Sequence, residues 1–518
     1  MSDENREKEN GSTLVSRRTI LKGALCAGAT VVAAPLAMSL PLKNAEAWPV
    51  RKVPDSWDET VDVLIIGSGF AGLSAAAEAA KTGAKTVILD KMPTYGGNSI
   101  INGGVYAAWD SSLHLRQKLN YGDDSPAQHK DDTLKGGDFF NNPELVQVLA
   151  EGAGDALTWM MTDGGARLRD ALARAGGHSA YRTHTVAEGI GRGFTEPLRK
   201  IAEKNGATIR LEHEVTWIWR QDPDSPVLGV EAKRGRSVLN IKVNKALILA
   251  SGGFGRDLKM RMDHYPLLTD SFNSTNHRGA TGEIIRYAQA VGADTLQMNF
   301  IQLYPFAEPE TGILDTPAVY PFNGPGHGIV YVTKHGKRFV SELERRDVCS
   351  FAQLKLNEKP TYSIFNQEMI TKMGGTDKEV SDGVAKGRFI KADTIPELAD
   401  KLGIPTAALV ETIEKHNQYL KNGKDPDFNK PITERMIPLV KGPFFGLAQW
   451  PAIHHCMGGL RINAKAQVID IFGKPIPKLY AAGEVAGGVH GSNRLGSNAI
   501  PDCVVFGRVA GTNAAIES

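Results

Sequence analysis

An α/β fold organised around a parallel sheet, with strands contributed from both ends of the chain, is predicted by three strand-to-glycine junctions. The first is VDVLIIGSGFAGLSAAAEAAKTGAKTVILD at residues 61–90; the second is KALILASGGFG at 245–255; the third is KLYAAGEVAGGVHGSNRLGSNA at 478–499. Each begins with a short, nearly continuous apolar run, the pattern of a strand buried on both faces. The wide separation of the third junction from the first two predicts that the sheet is split by a long insertion.

In the first junction, residues 61–66 read as a buried strand, and Gly67, Gly69 and Gly72 supply G-x-G-x-x-G at its end. An alanine-rich helical stretch follows, then a second strand, KTVILD, closing on Asp90. The spacing is that of a Rossmann-like dinucleotide site. Glycines make the tight turn, backbone amides at the helix start face a pyrophosphate, and the terminal acid bonds a ribose hydroxyl.

Composition bounds the rest. The 518 residues are 42% hydrophobic, with 60 basic against 58 acidic residues and a formal charge of +2, enough for a large core and two or three domains. No basic tract points to nucleic acid or to an anionic membrane as partner. Residues 1–47 are set aside as an export signal: Arg17 and Arg18 stand side by side, a mildly apolar, Ala- and Gly-rich stretch follows, and Ala45 to Ala47 close it as A-E-A. A twin-arginine signal carries folded, often cofactor-loaded proteins, so a periplasmic redox protein is expected, with no membrane span once the signal is removed. Cys349, Cys456 and Cys503 remain after Cys26 of the signal, too few and too scattered for a disulfide framework. No C-x-x-C-H attaches haem and no Cys/His cluster has metal spacing, so no metal is expected.

TYGGNSIINGG at 94–104, LASGGFG at 249–255, AAGEVAGGVHGSNRLGSNAI at 481–500 and GRVAG at 507–511 together resemble the flavoproteins of the fumarate reductase and succinate dehydrogenase superfamily. The resemblance is greatest to the soluble periplasmic fumarate and urocanate reductases and runs from about Val61 to the C-terminus. It implies FAD, with Asp90 on the adenosine ribose, Asn98 and Ser99 near the flavin, and Glu484 at the ribityl or ribose region. Lys91, Gly97, Gly103, Gly104, Gly252, Asn498, Ala499 and Ile500 fall in the same cofactor-binding stretches. Members with covalent flavin carry a histidine before the G-G motif; KMPTYGGNS has none, so noncovalent FAD is expected. The implied organisation is a split FAD-binding domain, residues 48–298 and 454–518, with an inserted α+β clamp at 299–453. Because Val61 follows the signal almost directly, electrons are expected from a separate cytochrome c.

The same resemblance assigns the chemistry. In fumarate reductases a hydride passes from flavin N5 to one alkene carbon and an arginine protonates the other; GKRFVSELERRDVCS at 336–350 puts Arg346 in that place. AIHHCMGGLRIN at 452–463 matches the carboxylate-binding H-H-T-M-G-G, giving His454, with His455 beside it, and Arg494 matches the arginine that clamps the same carboxylate. The subsite for a second carboxylate departs from the family. Its histidine is replaced by Tyr304, and an ungapped count places its Thr-Glu pair on Pro321 and Phe322 and its relay arginine on Pro325. Desolvating an unpaired carboxylate there costs several kcal/mol, so a monocarboxylate 2-enoate such as methacrylate, acrylate or a cinnamate-like acid is expected. Fumarate or urocanate stays open if a gap restores a carboxylate near Asp315 or Glu308. A substrate-free FAD electron carrier is the reading from another class, and it leaves Arg346, His454 and Arg494 without a use.

Overall fold

A computed structural model describes residues 51–517; the signal at 1–47, with Arg17, Arg18 and Cys26, lies outside the described residues. The apolar run at the first junction forms the strand Glu59–Ile66. It pairs in parallel with Thr86–Leu89 on one side and with Ser237–Leu249 on the other. Pro475–Ala481 then pairs in parallel with Ser237–Leu249, and Thr208–Arg210 with Thr86–Leu89. The sheet therefore takes strands from both ends of the chain, and all three predicted strand-to-glycine junctions lie on neighbouring strands of it. An antiparallel hairpin, Glu214–Arg220 with Val227–Arg234, extends the sheet from Ser237–Leu249.

The alanine-rich stretch forms the helix Phe70–Lys81, and the C-terminal helix Ala499–Ile516 packs on it. G-R-V-A-G sets how close they come. A Cβ on Gly507 would lie 2.5 Å from the carbonyl oxygen of Ala71, and one on Gly511 would lie 2.2 Å from that of Ala75. Only glycine at both positions lets the helix backbones touch, which fixes the start of the C-terminal helix against the glycine loop.

A second, antiparallel sheet joins Ile301–Ala307, Phe444–Cys456, Thr361–Asn366 and Val330–Val332, with Ile390–Ala392 on the long Phe444–Cys456 strand. Its core is aromatic, with Phe365, Phe389 and Phe445 in mutual ring contact. The register of Ile301–Ala307 against Phe444–Cys456 sets Gln302 across from His455 and Tyr304 across from Ala452. Those pairings carry the sheet's edge to the glycine-rich segment that precedes the C-terminal helix.

Candidate active site

The three motif glycines have separate steric reasons. Gly67 has φ +103°, and a Cβ there would lie 2.3 Å from the carbonyl oxygen of Ala250 on the neighbouring strand end. A Cβ on Gly72 would lie 1.9 Å from the carbonyl oxygen of Gly67, so Gly72 closes the helix onto the turn. Gly69 lies against Ser99, whose hydroxyl accepts a hydrogen bond from the Phe70 amide at 2.9 Å. Asp90 braces the loop: its carboxylate accepts from the amide of Ser68 at 3.0 Å and from the amide of Met92 at 2.9 Å.

Gly67, Ser68, Gly69 and Asp90 line a cleft that runs from the glycine turn past Lys91 to Glu484. Lys91 is held at its wall by Thr281 and Glu283. Gly97 and Gly252, both at positive φ, face open space on the cleft side, and the buried hydroxyl of Ser251 has no partner within the protein. A cradle lined by the glycine turn, with an unanswered polar group, fits a dinucleotide. Asn98 is locked beside it, donating to Asn276 Oδ1 at 2.7 Å and accepting from the amide of His277 at 2.6 Å.

A second cavity shares Phe70, Asn98, Ser99, Glu484 and Cys503 with the first. It brings together Arg346, Arg494, His454, His455, Tyr304 and Phe322. Gly103, Ala499 and Ile500 also line it. Three residues expected at the cofactor line neither cavity. Gly72 serves helix packing. Gly104 packs against Val186 and Ile190. Asn498 is fully buried, bonded to His129 Nε2 at 2.9 Å and to Thr133 Oγ1 at 3.0 Å, and it holds the turn before the C-terminal helix. In that turn Ser497 takes a left-handed φ of +61°, a strain fixed by its hydroxyl contact with Thr183 at 2.8 Å.

Helix geometry decides which of the twin arginines enters the cavity. Arg346 opens the helix Arg346–Leu356, and Arg346, Cys349, Ser350 and Gln353 form its buried face at i, i+3, i+4, i+7. Arg345 points the other way and pairs with both Asp138 and Asp347. Asp347 is thus the partner of Arg345, while the Arg346 guanidinium lies over the rings of Phe322 at 4.4 Å and Tyr304 at 5.0 Å. Burial pushes the Arg346 guanidinium down to about 10.

Arg494, 3% exposed, donates to Gln302 Oε1 at 2.9 Å and to the carbonyl of Leu495 at 3.1 Å. Arg346 donates to the same Gln302 oxygen at 3.3 Å. Gln302 is oriented by its own amide group, which donates at 2.7 Å to both Asn493 Oδ1 and the carbonyl of Arg494. Among the described residues no carboxylate lies within 4.0 Å of either guanidinium, and Nε of each is buried without a partner. Burial, then the neighbouring Arg346, drive Arg494 well below the ordinary arginine value. Two desolvated cations sharing one neutral oxygen make a site short of negative charge.

The two histidines and Tyr304 stand beside the arginines, with Asn98, Ser99, Asn102, Ser497 and the carboxyl of Glu484 completing the polar lining. His454 Nδ1 meets Thr275 Oγ1 at 2.7 Å and its ring packs 4.8 Å from that of Tyr304. Burial and both arginines hold His454 and His455 well below the usual histidine range. The Tyr304 hydroxyl is occupied, donating to the carbonyl of Ala318 at 2.7 Å, so the residue offers the cavity its ring. Around it lie Ile101, Val105, Leu314, Val319 and Phe322. Asp315 caps the helix Thr316–Asn323 and pairs with Arg388, and Glu308 turns back on Thr311; neither lines the cavity. Gln302 and Thr275 are the site residues that sequence reasoning missed. A signal existed for Gln302, a lone amide in a strand whose every residue is buried. Thr275 carried none.

Comparison with known proteins agrees with this geometry. Residues 62–500 match the FAD binding domain family. Urocanate reductase of Eggerthella lenta is 38% identical over 474 residues, 90% of this chain and 76% of the relative. The acrylate reductase flavoprotein subunit of Shewanella woodyi is 36% identical over 513 residues, 96% of this chain and 98% of the relative. Among solved structures, a flavocytochrome c3 fumarate reductase in its open conformation matches with a TM-score of 0.68 and 36% identity, covering 89% of this chain and 79% of the other. The chain belongs to the FAD binding domain family and is an FAD-dependent oxidoreductase, related to flavoproteins that reduce carbon–carbon double bonds.

Proposed function

We propose that the protein saturates the C=C bond of an α,β-unsaturated monocarboxylate. The observation that carries this reading is the pair of buried guanidinium groups, Arg346 and Arg494, with no carboxylate within 4.0 Å among the described residues, in a cavity that also presents the apolar side chains of Ile101, Val105, Leu314, Val319 and Phe322. One substrate carboxylate answers that charge. A second that met Leu314, Val319 and Phe322 would find side chains that offer it no hydrogen bond.

Asp90, Asn98, Ser99 and Glu484 would hold FAD without a covalent link, and the chemistry it would supply there is hydride transfer to one alkene carbon. Arg494 and His454 grip the carboxylate; with His454 Nδ1 engaged by the Thr275 hydroxyl, Nε2 is the ring nitrogen that meets that anion. Arg346 gives the proton to the other carbon from its guanidinium. Its placement on the faces of Tyr304 and Phe322 excludes water and favours loss of that proton. Residues 299–453 act as the clamp that closes this cavity. Paired Arg17 and Arg18 support a periplasmic location. A relative of nearly the same span is named a flavoprotein subunit, which supports a separate electron donor, and a cytochrome c suits that compartment.

The test is reoxidation of viologen-reduced, FAD-loaded protein by a panel of acrylate, methacrylate, cinnamate, urocanate and fumarate, with the saturated product identified. Turnover of a monocarboxylate is expected. Failure of every acid to reoxidise the protein would leave only the electron-carrier reading.

A further inference from the structure

Glu484 lines both cavities, at the joint that an FAD molecule spanning them must cross. Its side chain is 11% exposed. Its Oε1 accepts a hydrogen bond from the Cys456 amide at 2.9 Å, and a Cβ on Gly253 would lie 2.6 Å from that oxygen, so backbone walls fix the carboxyl. Among the described residues it has no lysine or arginine within 4.0 Å; His455 Nδ1 stands 3.6 Å away.

The charged and titratable groups that face it come from three elements. The strand Phe444–Cys456 brings His455 and Cys456; the glycine-rich segment brings Arg494, and His490 behind His455 with rings 5.4 Å apart; the C-terminal helix brings Asp502 and Cys503. His490 is itself tied to Asp502, Nε2 to Oδ2 at 3.2 Å. Burial pushes the Glu484 carboxyl up to about 7, against the lowering effects of the Cys456 amide, Arg494 and Asn98. A carboxyl so balanced responds strongly to one more negative charge in the same low-dielectric volume.

We propose that Glu484 is a redox-linked proton acceptor: it takes up a proton when the bound cofactor receives two electrons, and gives it back on reoxidation by substrate. Two electrons from the donor then bring one proton to the cofactor and a second to the Glu484 carboxylate, so the cavity gains no net charge. On reoxidation the hydride and the Arg346 proton leave with the product, and the Glu484 proton returns to solvent or reprotonates Arg346. The inference rests on FAD occupying the two cavities.

The test is spectroelectrochemical titration of FAD-loaded protein, with flavin content fixed first by absorbance so that failed loading is seen separately. For a two-electron couple each proton taken up shifts the midpoint by about 30 mV per pH unit. Wild type is expected to show about 59 mV per pH unit from just above neutrality to about pH 9, and Glu484→Gln about 30 mV. An equal slope in both, at either value, overturns the proposal. Should Glu484→Gln fail to hold FAD, proton uptake by wild type decides: a pH-indicator dye in weakly buffered solution at pH 8 should count two protons per electron pair, and a count of one overturns the assignment.

Discussion

Replacing Arg346 by glutamine keeps a planar amide on the Phe322 and Tyr304 faces but removes both the acidic proton and the positive charge. Burial brings this guanidinium down to about 10, which lowers the resistance to proton loss by roughly 3 kcal/mol at about 1.36 kcal/mol per pH unit. That drop is caused by burial without an ion-pair partner, so it disappears with the side chain. A positioned general acid contributes about 10²–10⁴ in rate, and one donor aimed at developing charge about 10²–10³. Their overlap gives an expected loss of about 10⁴ in kcat, or roughly 5.5 kcal/mol of barrier. The assay is single-turnover reoxidation of the reduced protein, with FAD occupancy read from the visible spectrum and expected to match wild type. Since the protonated form is the active one, wild-type kcat should fall as pH rises through about 10. A variant retaining more than about a tenth of wild-type turnover, less than roughly 1.4 kcal/mol of barrier, would refute Arg346 as the acid.

Three further outcomes follow from the geometry. Tyr304→His combined with Pro321→Thr and Phe322→Glu should raise kcat/KM for fumarate relative to methacrylate by tenfold or more, because polar groups then face a second carboxylate; an unchanged ratio in steady-state assays would place that subsite elsewhere. Acid precipitation should release all flavin into the supernatant, and colour retained in the pellet would show a covalent bond. Gly72→Ala puts a Cβ 1.9 Å from the carbonyl of Gly67, so the protein should lose FAD binding and melt several degrees lower; a holoprotein melting as wild type does would mean the turn relaxes freely.

The dinucleotide half of the fold was legible because its signals are local. Strand, glycine turn, helix and Asp90 occupy thirty consecutive residues, and within that stretch Gly72 closes onto Gly67 and Asp90 accepts from the Ser68 amide. The same holds for G-R-V-A-G, whose four-residue spacing is the spacing of one helix contact. What escaped were groups whose partners are distant. Gln302 meets Arg494 across 192 positions and Arg346 across 44. The resemblance chose Arg346 over Arg345, but local pattern does not, because the buried helix face is completed by Cys349, Ser350 and Gln353, residues too polar to announce a core stripe. Asn498 sits between two cavity-lining neighbours, yet its side chain turns to His129, 369 positions away, because the left-handed Ser497 rotates the turn. The buried pairing of Arg182 with Asp124 and Asp132 likewise left no trace in local pattern.

The central claim is that the cavity accepts one carboxylate and an apolar far end. It is tested most directly by competition: reduced, FAD-loaded protein is offered equal concentrations of methacrylate and fumarate, and isobutyrate and succinate are quantified at low conversion. The product ratio equals the ratio of kcat/KM values and is independent of enzyme concentration and of electron supply. Isobutyrate in more than about tenfold excess is the predicted result. Succinate in excess would contradict the account, and would mean that a second carboxylate finds a partner beyond Tyr304 and Phe322.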